Sequence, residues 1–304
     1  MNDRERAMNG EADRSGAAMR ERVARLKPGF WGRLIYHVLP IRRGVVLENL
    51  NIAFGRELDP AQVRRLAQAF YRHLVLALWE NLTFGWKSRE AVSRAVRVEG
   101  LDRLLLAGEG GKGVLVIGGH YGNWEAAPVG GMMQFEHFRG RFHMLRRQIV
   151  NKWVERQLFK RYYEAGLDVI PKRSSLNRVM DALAANHAVG FIMDQYAKPG
   201  KEGIVADFFG KPAGTFKSLA VVARASEAPV IPAACWRAED GKHVLRFYDP
   251  VPWISNDDPD EEILINTANY NRVIESIIRE HPDQWLWFHK RWKDKGVHTR
   301  PVVR

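Results

Sequence analysis

The rhythm of apolar positions changes near residue 97. Before it, apolar residues recur at helical spacing. Val63, Leu66, Phe70, Leu74 and Leu78 share one face of a stretch running from 61 to about 82. Pro60 follows an acidic residue there, which makes a good helix start. After residue 97, short apolar runs bounded by glycine or proline alternate with helical periods. Residues 114–117, 142–145, 167–170 and 189–193 read as strands, and 150–165 and 175–187 as helices between them. Thr215 is expected to cap a helix reaching about 225. Residues 230–231 and 244–248 read as strands joined by the turn Glu239-Asp240-Gly241, and 261–280 as a last helix. The alternation predicts an α/β fold: a mixed, mostly parallel sheet flanked by helices, one part antiparallel, with an N-terminal helical segment.

Residues 1–20 are polar and charged and are expected to form a disordered tail. Residues 21–90 form the helical segment and 91–304 the α/β domain. No signal peptide is visible, and no run approaches the roughly 20 apolar residues of a spanning helix. The nearest, Phe30 to Leu39, is short and interrupted by Arg33. It is aromatic, amphipathic and flanked by Lys27, Arg42 and Arg43. Such a segment suits an interfacial anchor, or a helix packed on the protein's own core. Trp79, Phe84 and Trp86 leave the same choice between core and lipid.

Charge narrows the partners. The 304 residues hold 47 lysines and arginines against 35 acidic residues, a net charge of +12. The excess is uneven: 141–178 holds ten basic and three acidic residues, and 289–304 six and one. Anionic lipid, a phosphorylated substrate, an acidic carrier protein or nucleic acid would all be attracted. No nucleic-acid-reading motif is present, so nucleic acid is not expected. The single Cys235 excludes an internal disulfide and reads as a core thiol on a strand. No metal-ligand spacing, P-loop or dinucleotide fingerprint appears, so no metal or cofactor is expected.

The chemistry concentrates in Val114-Leu-Val-Ile-Gly-Gly-His120-Tyr-Gly-Asn123-Trp-Glu125. An apolar strand runs into two glycines and a histidine, at the strand end where α/β proteins build sites. A carboxylate follows five positions later. That spacing puts His120 on a turn and Glu125 in the first turn of the next helix. A neutral histidine there can take the proton of an acceptor hydroxyl as it attacks a thioester, with the carboxylate fixing the imidazole tautomer. Spacing alone is equally compatible with a structural loop histidine. His137, His143, His187 and His243 have no matching carboxylate and read as structural.

Gly-Gly-His120-Tyr-Gly-Asn-Trp-Glu125 resembles the His-x4-Asp/Glu motif of the bacterial lipid A biosynthesis (lauroyl/myristoyl) acyltransferases. Further blocks extend the resemblance over roughly 35–295: Asn49-Leu-Asn-Ile-Ala-Phe54, Met193-Asp194-Gln195, Asp207-Phe-Phe-Gly-Lys-Pro-Ala213, Ala228-Pro-Val-Ile-Pro232 and His281-Pro-Asp-Gln-Trp-Leu-Trp-Phe-His-Lys-Arg-Trp292. The resemblance implies a glycerol-3-phosphate-acyltransferase-like fold and O-acyl transfer from acyl carrier protein or acyl-CoA, as co-substrate, to a lipid A precursor or related glycolipid. It implies His120 as base, Glu125 as its partner, and an arginine stabilising the oxyanion, Arg146 or alternatively Arg147. Asp194 would orient Arg146 or the acceptor. Asn123, Gln195, Lys290 and Arg291 are candidate substrate contacts, with His289 beside them. Trp285 and Trp287 read as core. Most family members begin with a spanning helix, so the expected location here is peripheral, on the cytoplasmic face of the inner membrane. The alternatives are a non-catalytic lipid- or carrier-binding protein on the same fold, or an acyltransferase for another lysolipid.

Overall fold

A computed structural model describes residues 3–39, 41–147, 151–173 and 175–293. Four helices come first: α1 (Asp3–Arg25), α2 (Gly29–Val38), α3 (Arg43–Phe54) and α4 (Pro60–Thr83). From Asp3 onward, the expected N-terminal tail is instead helical. Met19 and Val23 of α1 are buried against the core, and burying such side chains supplies the ordering free energy that a polar segment otherwise lacks. Asp59 starts α4 with a full capping box: its carboxylate accepts from the Gln62 backbone N–H, and the Gln62 side chain accepts from the Asp59 N–H.

The short α5 (Arg89–Arg94) leads into β1 (Val96–Glu99), α6 (Leu101–Gly108), β2 (Val114–Gly118) and α7 (Ala126–Met132). Then come β3 (Phe142–Arg146), α8 (Lys152–Glu164), β4 (Leu167–Pro171), α9 (Leu176–Ala184) and β5 (Ala188–Ile192). A separate antiparallel hairpin, β6 (Gly203–Phe208) and β7 (Lys211–Phe216), precedes α10 (Ser218–Ser226), β8 (Val230–Arg237), β9 (His243–Phe247) and α11 (Pro259–Glu280). Thr215 does not cap α10. It lies in β7, and its hydroxyl accepts from the guanidinium of Arg291.

Seven strands form one sheet in the order β1-β9-β8-β2-β5-β3-β4. All neighbours are parallel except β8 and β9. The mixed, mostly parallel sheet is as expected. Both of its faces are covered. In β2, Leu115 and Ile117 join a core shared with the N-terminal helices, α10 and α11, whereas Val114 and Val116 join a second core with α7. This burial on both sides explains why the strand reads as an unbroken apolar run.

Candidate active site

His120 stands just beyond the end of β2 and Asp194 just beyond the end of β5. These strands pair in parallel with Gly118 opposite Ile192, so the two residues that follow each strand also face each other. His120 Nδ1 lies 2.9 Å from Asp194 Oδ1. The other carboxylate oxygen accepts from the backbone N–H of His120 at 2.6 Å and from Trp285 Nε1 at 2.8 Å. Asp194 and Trp285 are both buried. Burial pushes the Asp194 carboxyl up. The charge and hydrogen bonds of His120, with the Trp285 indole, overcome this and hold it below the usual aspartate value. For His120, burial pulls downward, but the Asp194 charge and hydrogen bond, then the Glu125 charge, leave the imidazole more basic than usual.

The loop that carries His120 is clamped on several sides. Gly122 has φ of 59°, and a Cβ there would stand 2.0 Å from the Cys235 carbonyl oxygen. Only glycine lets the loop lie this close to β8. The Gly122 N–H donates to the Gln284 carbonyl, and the Leu286 N–H to that of His120. Tyr121 is buried and donates its hydroxyl to the Ile277 carbonyl. Cys235 is a core thiol whose Sγ donates to the Tyr121 carbonyl, and burial pushes its pKa far up.

Glu125 stands at the N-cap of α7. It is not the hydrogen-bond partner of His120. Arg146, at the end of β3, reaches it bidentately: Nη1 to Oε2 at 2.8 Å and Nη2 to Oε1 at 3.0 Å. Tyr162 of α8 donates its hydroxyl to the same Oε2 at 2.7 Å, and Arg146 lies over the Tyr162 ring. Burial pushes Glu125 up, and Arg146 and Tyr162 more than reverse it. Two expectations are thereby corrected. The carboxylate that meets His120 Nδ1 is Asp194, because strand register decides which one stands opposite the imidazole. Nor does Asp194 orient Arg146, whose fork is occupied by Glu125. Arg147 is exposed and stands outside this cluster.

Among the other candidates, Gln195 adjoins the imidazole: its Nε2 is 3.3 Å from His120 Nε2 and 3.4 Å from His289 Nε2. The His120 and His289 rings are 5.8 Å apart. Asn123 is buried, with both ends of its side-chain amide engaged. Its amide donates to Glu80 Oε2, and its carbonyl oxygen accepts from the Ala126 N–H at the start of α7. Arg291 is also buried, donating to the Gly214 carbonyl and Thr215 Oγ1, so neither residue is open to substrate. Lys290 is exposed in a groove with Val45, Glu48, Asn49 and Lys293. Trp285 and Trp287 are core, and the Asn49 amide donates to the carbonyls of Trp287 and His289, joining the first and last sequence blocks. Trp285, Tyr162 and Glu80 were missed as site residues. An apolar or isolated acidic residue in a helix gives no local signal of such a partner.

A narrow, almost wholly apolar cavity opens beside His120. Gly118, Gly119 and Trp124 line its near end, and Met132, Phe142 and Phe247 lie among its other walls. The Trp124 ring packs edge-on to His120, with centroids 5.3 Å apart. On the outside, an apolar surface is exposed along α2 (Phe30, Trp31 and Val38) and the end of α4 (Leu78, Trp79 and Leu82), with Trp86 beyond. Among the described residues, no helix is long and apolar enough to cross a membrane.

Residues 15–294 match the family described as bacterial lipid A biosynthesis acyltransferase. The lipid A biosynthesis palmitoleoyltransferase of Escherichia coli (strain K12) is 28% identical over 275 residues, covering 89% of this chain and 83% of that protein. The lipid A biosynthesis lauroyltransferase of the same organism is 25% identical over 272 residues, covering 88% and 85%. Among solved structures, the 1-acyl-sn-glycerophosphate acyltransferase PlsC from Thermotoga maritima aligns with a TM-score of 0.35 and 14% identity, over 84% of this chain and 95% of that one.

Proposed function

The chain belongs to the bacterial lipid A biosynthesis acyltransferase family and is an acyltransferase, and we propose that it moves a fatty acyl chain from a thioester of acyl carrier protein or CoA onto a hydroxyl of a lipid A precursor or related glycolipid. The observation that carries the reading is the His120–Asp194 pair next to an apolar cavity that the neighbouring Gly118, Gly119 and Trp124 line. With its Nδ1 proton held by Asp194, His120 keeps Nε2 as the acceptor.

The acceptor hydroxyl gives its proton to Nε2 as its oxygen bonds to the thioester carbonyl carbon. Asp194 and the nearby Glu125 charge stabilise the imidazolium. The C–S bond then breaks, and the departing sulfur takes the proton from Nε2. The thioester is already activated, so no protein nucleophile is needed. The apolar lining of the cavity suits an acyl chain, which it would shield from water.

The exposed apolar surface of α2 and α4 suits a protein lying on the bilayer, with basic residues drawn to anionic lipid. This supports a peripheral position on the cytoplasmic face of the inner membrane, where an acyl carrier protein can reach the site. The test is incubation of the purified protein with lauroyl and palmitoleoyl thioesters and a lipid A precursor, followed by mass spectrometry of the lipid. One added acyl chain is expected, with a loss on the order of 10²–10⁴-fold in His120→Ala. Equal turnover by His120→Ala and the unaltered protein overturns the reading.

A further inference from the structure

Behind the His120 loop lies a second polar cluster that the acyl-transfer scheme does not use. Glu80 points inward from α4, and its Oε2 accepts from Asn123 Nδ2 at 2.9 Å and from Arg237 Nη2, with His243 Nε2 at 3.2 Å. Seven residues earlier, on the same face of α4, the buried His73 lies near the backbone of Gly122. One helix thus faces two consecutive residues of the loop, Gly122 and Asn123, and holds the second through Glu80. Arg237 extends the grip: its backbone N–H donates to Gln284, whose own carbonyl accepts from the Gly122 N–H.

The cluster is poorly suited to a purely stabilising role. His73 Nε2, Arg237 Nε and His243 Nδ1 are buried without a hydrogen-bond partner among the described residues. Each such atom costs stability, and a buried ion pair gains little over apolar residues of the same volume. What the polar arrangement supplies is direction. Asn123 is pinned between Glu80 and the start of α7, which fixes the loop between His120 and Glu125.

We propose that Glu80 is a positioning residue for acyl transfer, which acts through Asn123 to hold the His120 loop in register with Asp194. This rests on the reading of His120 as the base. Glu80 touches neither substrate nor the reacting atoms. The opposite face of α4 carries the exposed Leu78 and Leu82, so the helix that fixes the loop is the one facing outward.

The experiment measures kcat and KM for Glu80→Ala, Glu80→Gln, Asn123→Ala, the Glu80→Ala/Asn123→Ala double variant and His120→Ala. The substrates are a palmitoleoyl thioester of acyl carrier protein and a lipid A precursor in vesicles, and thermal melts establish that each variant is folded at the assay temperature. Glu80→Ala is expected to lose on the order of 10²-fold in kcat, the scale of a small misplacement of the base, with KM little changed. Glu80→Gln keeps an acceptor oxygen for Asn123 and recovers part of the loss. The double variant is expected to be no slower than the slower single one. A folded Glu80→Ala with unaltered kcat, a loss confined to KM, or losses that multiply in the double variant overturns the proposal. If Glu80→Ala does not fold, an unaltered kcat in a folded Asn123→Ala overturns it equally, since Glu80 acts through Asn123. An inactive His120→Ala beside a fully active Glu80→Ala sinks this inference alone, whereas an active His120→Ala sinks the assignment of the base.

Discussion

Asp194 holds His120 twice, by the imidazole Nδ1 at 2.9 Å and by the backbone N–H at 2.6 Å. One carboxylate thus fixes both the ring and the peptide that carries it. Trp285 completes the arrangement by donating to the same carboxylate. Asp194 is buried, so this geometry is shielded from water and from competing partners.

Replacing Asp194 with asparagine should therefore alter rate and pH dependence together. Asp194 and, to a lesser extent, Glu125 raise the His120 pKa against the downward pull of burial. A base works in its neutral form, so the acid limb of kcat/KM should lie above the usual histidine value of 6.5. In Asp194→Asn burial still lowers the pKa while the largest raising influence is gone, so the limb should move downward. The rate plateau should fall by about 10²-fold or more, since tautomer control is lost. Steady-state rates across pH check both effects, and an acid limb that does not move would count against the pairing.

Glu125→Gln should act differently. It leaves the Arg146 guanidinium in a half-buried site without its bidentate partner. The expected cost is about 3 kcal/mol of stability, seen as a lower denaturant midpoint. Arg146→Met should cost a similar amount, and the double variant less than the sum. The acid limb of Glu125→Gln should move less than that of Asp194→Asn, because Glu125 influences His120 by charge alone.

Acyl preference should follow the cavity. Ala233 lines it, and Ala233→Leu adds bulk to an apolar wall. The ratio of kcat/KM for palmitoleoyl over lauroyl thioesters should drop by about 10-fold or more, given roughly 1–3 kcal/mol per unaccommodated methylene. Competition between the two thioesters in one assay reads this directly.

Binding to vesicles should depend on the exposed aromatic residues. Trp79 and Trp86 are 63% and 82% exposed. The pair of changes Trp79→Ser and Trp86→Ser should weaken sedimentation with vesicles by about 10-fold or more. Raising salt should weaken binding further only when the vesicles contain anionic lipid.

Falling pH should remove the contribution that His73 makes to stability. Burial lowers the His73 pKa from 6.5 to about 4. The folded state keeps it neutral while the unfolded chain takes up a proton, so its contribution is fully present above pH 6.5 and is lost progressively as pH falls from 6.5 to about 4. Glu275 and Asp283, raised by burial to about 7 and about 6, pull the other way, so the check is the difference: on acidification from pH 6.5 to 4 the melting temperature of His73→Gln should fall less than that of the unaltered protein. His281, also lowered to about 4 by burial, titrates in the same window and should account for some of what remains.

The periodic pattern alone determined the α/β class, the long α4, the β8–β9 hairpin and α11, because apolar spacing reports which faces of a segment are buried. It also isolated His120, since an apolar strand ending in Gly118-Gly119 is a local signal. Sequence distance could not say which carboxylate meets the imidazole. Glu125 is five residues away and turns to Arg146, whereas Asp194 is 74 residues away and is brought opposite by strand register. The same holds for Arg291, whose motif position suggested substrate but whose side chain is buried on Thr215, and for α1, whose polar sequence hides the two residues that anchor it. Local pattern fixes what each segment can bury. Which polar groups meet depends on register between distant segments, and only the tertiary structure sets that.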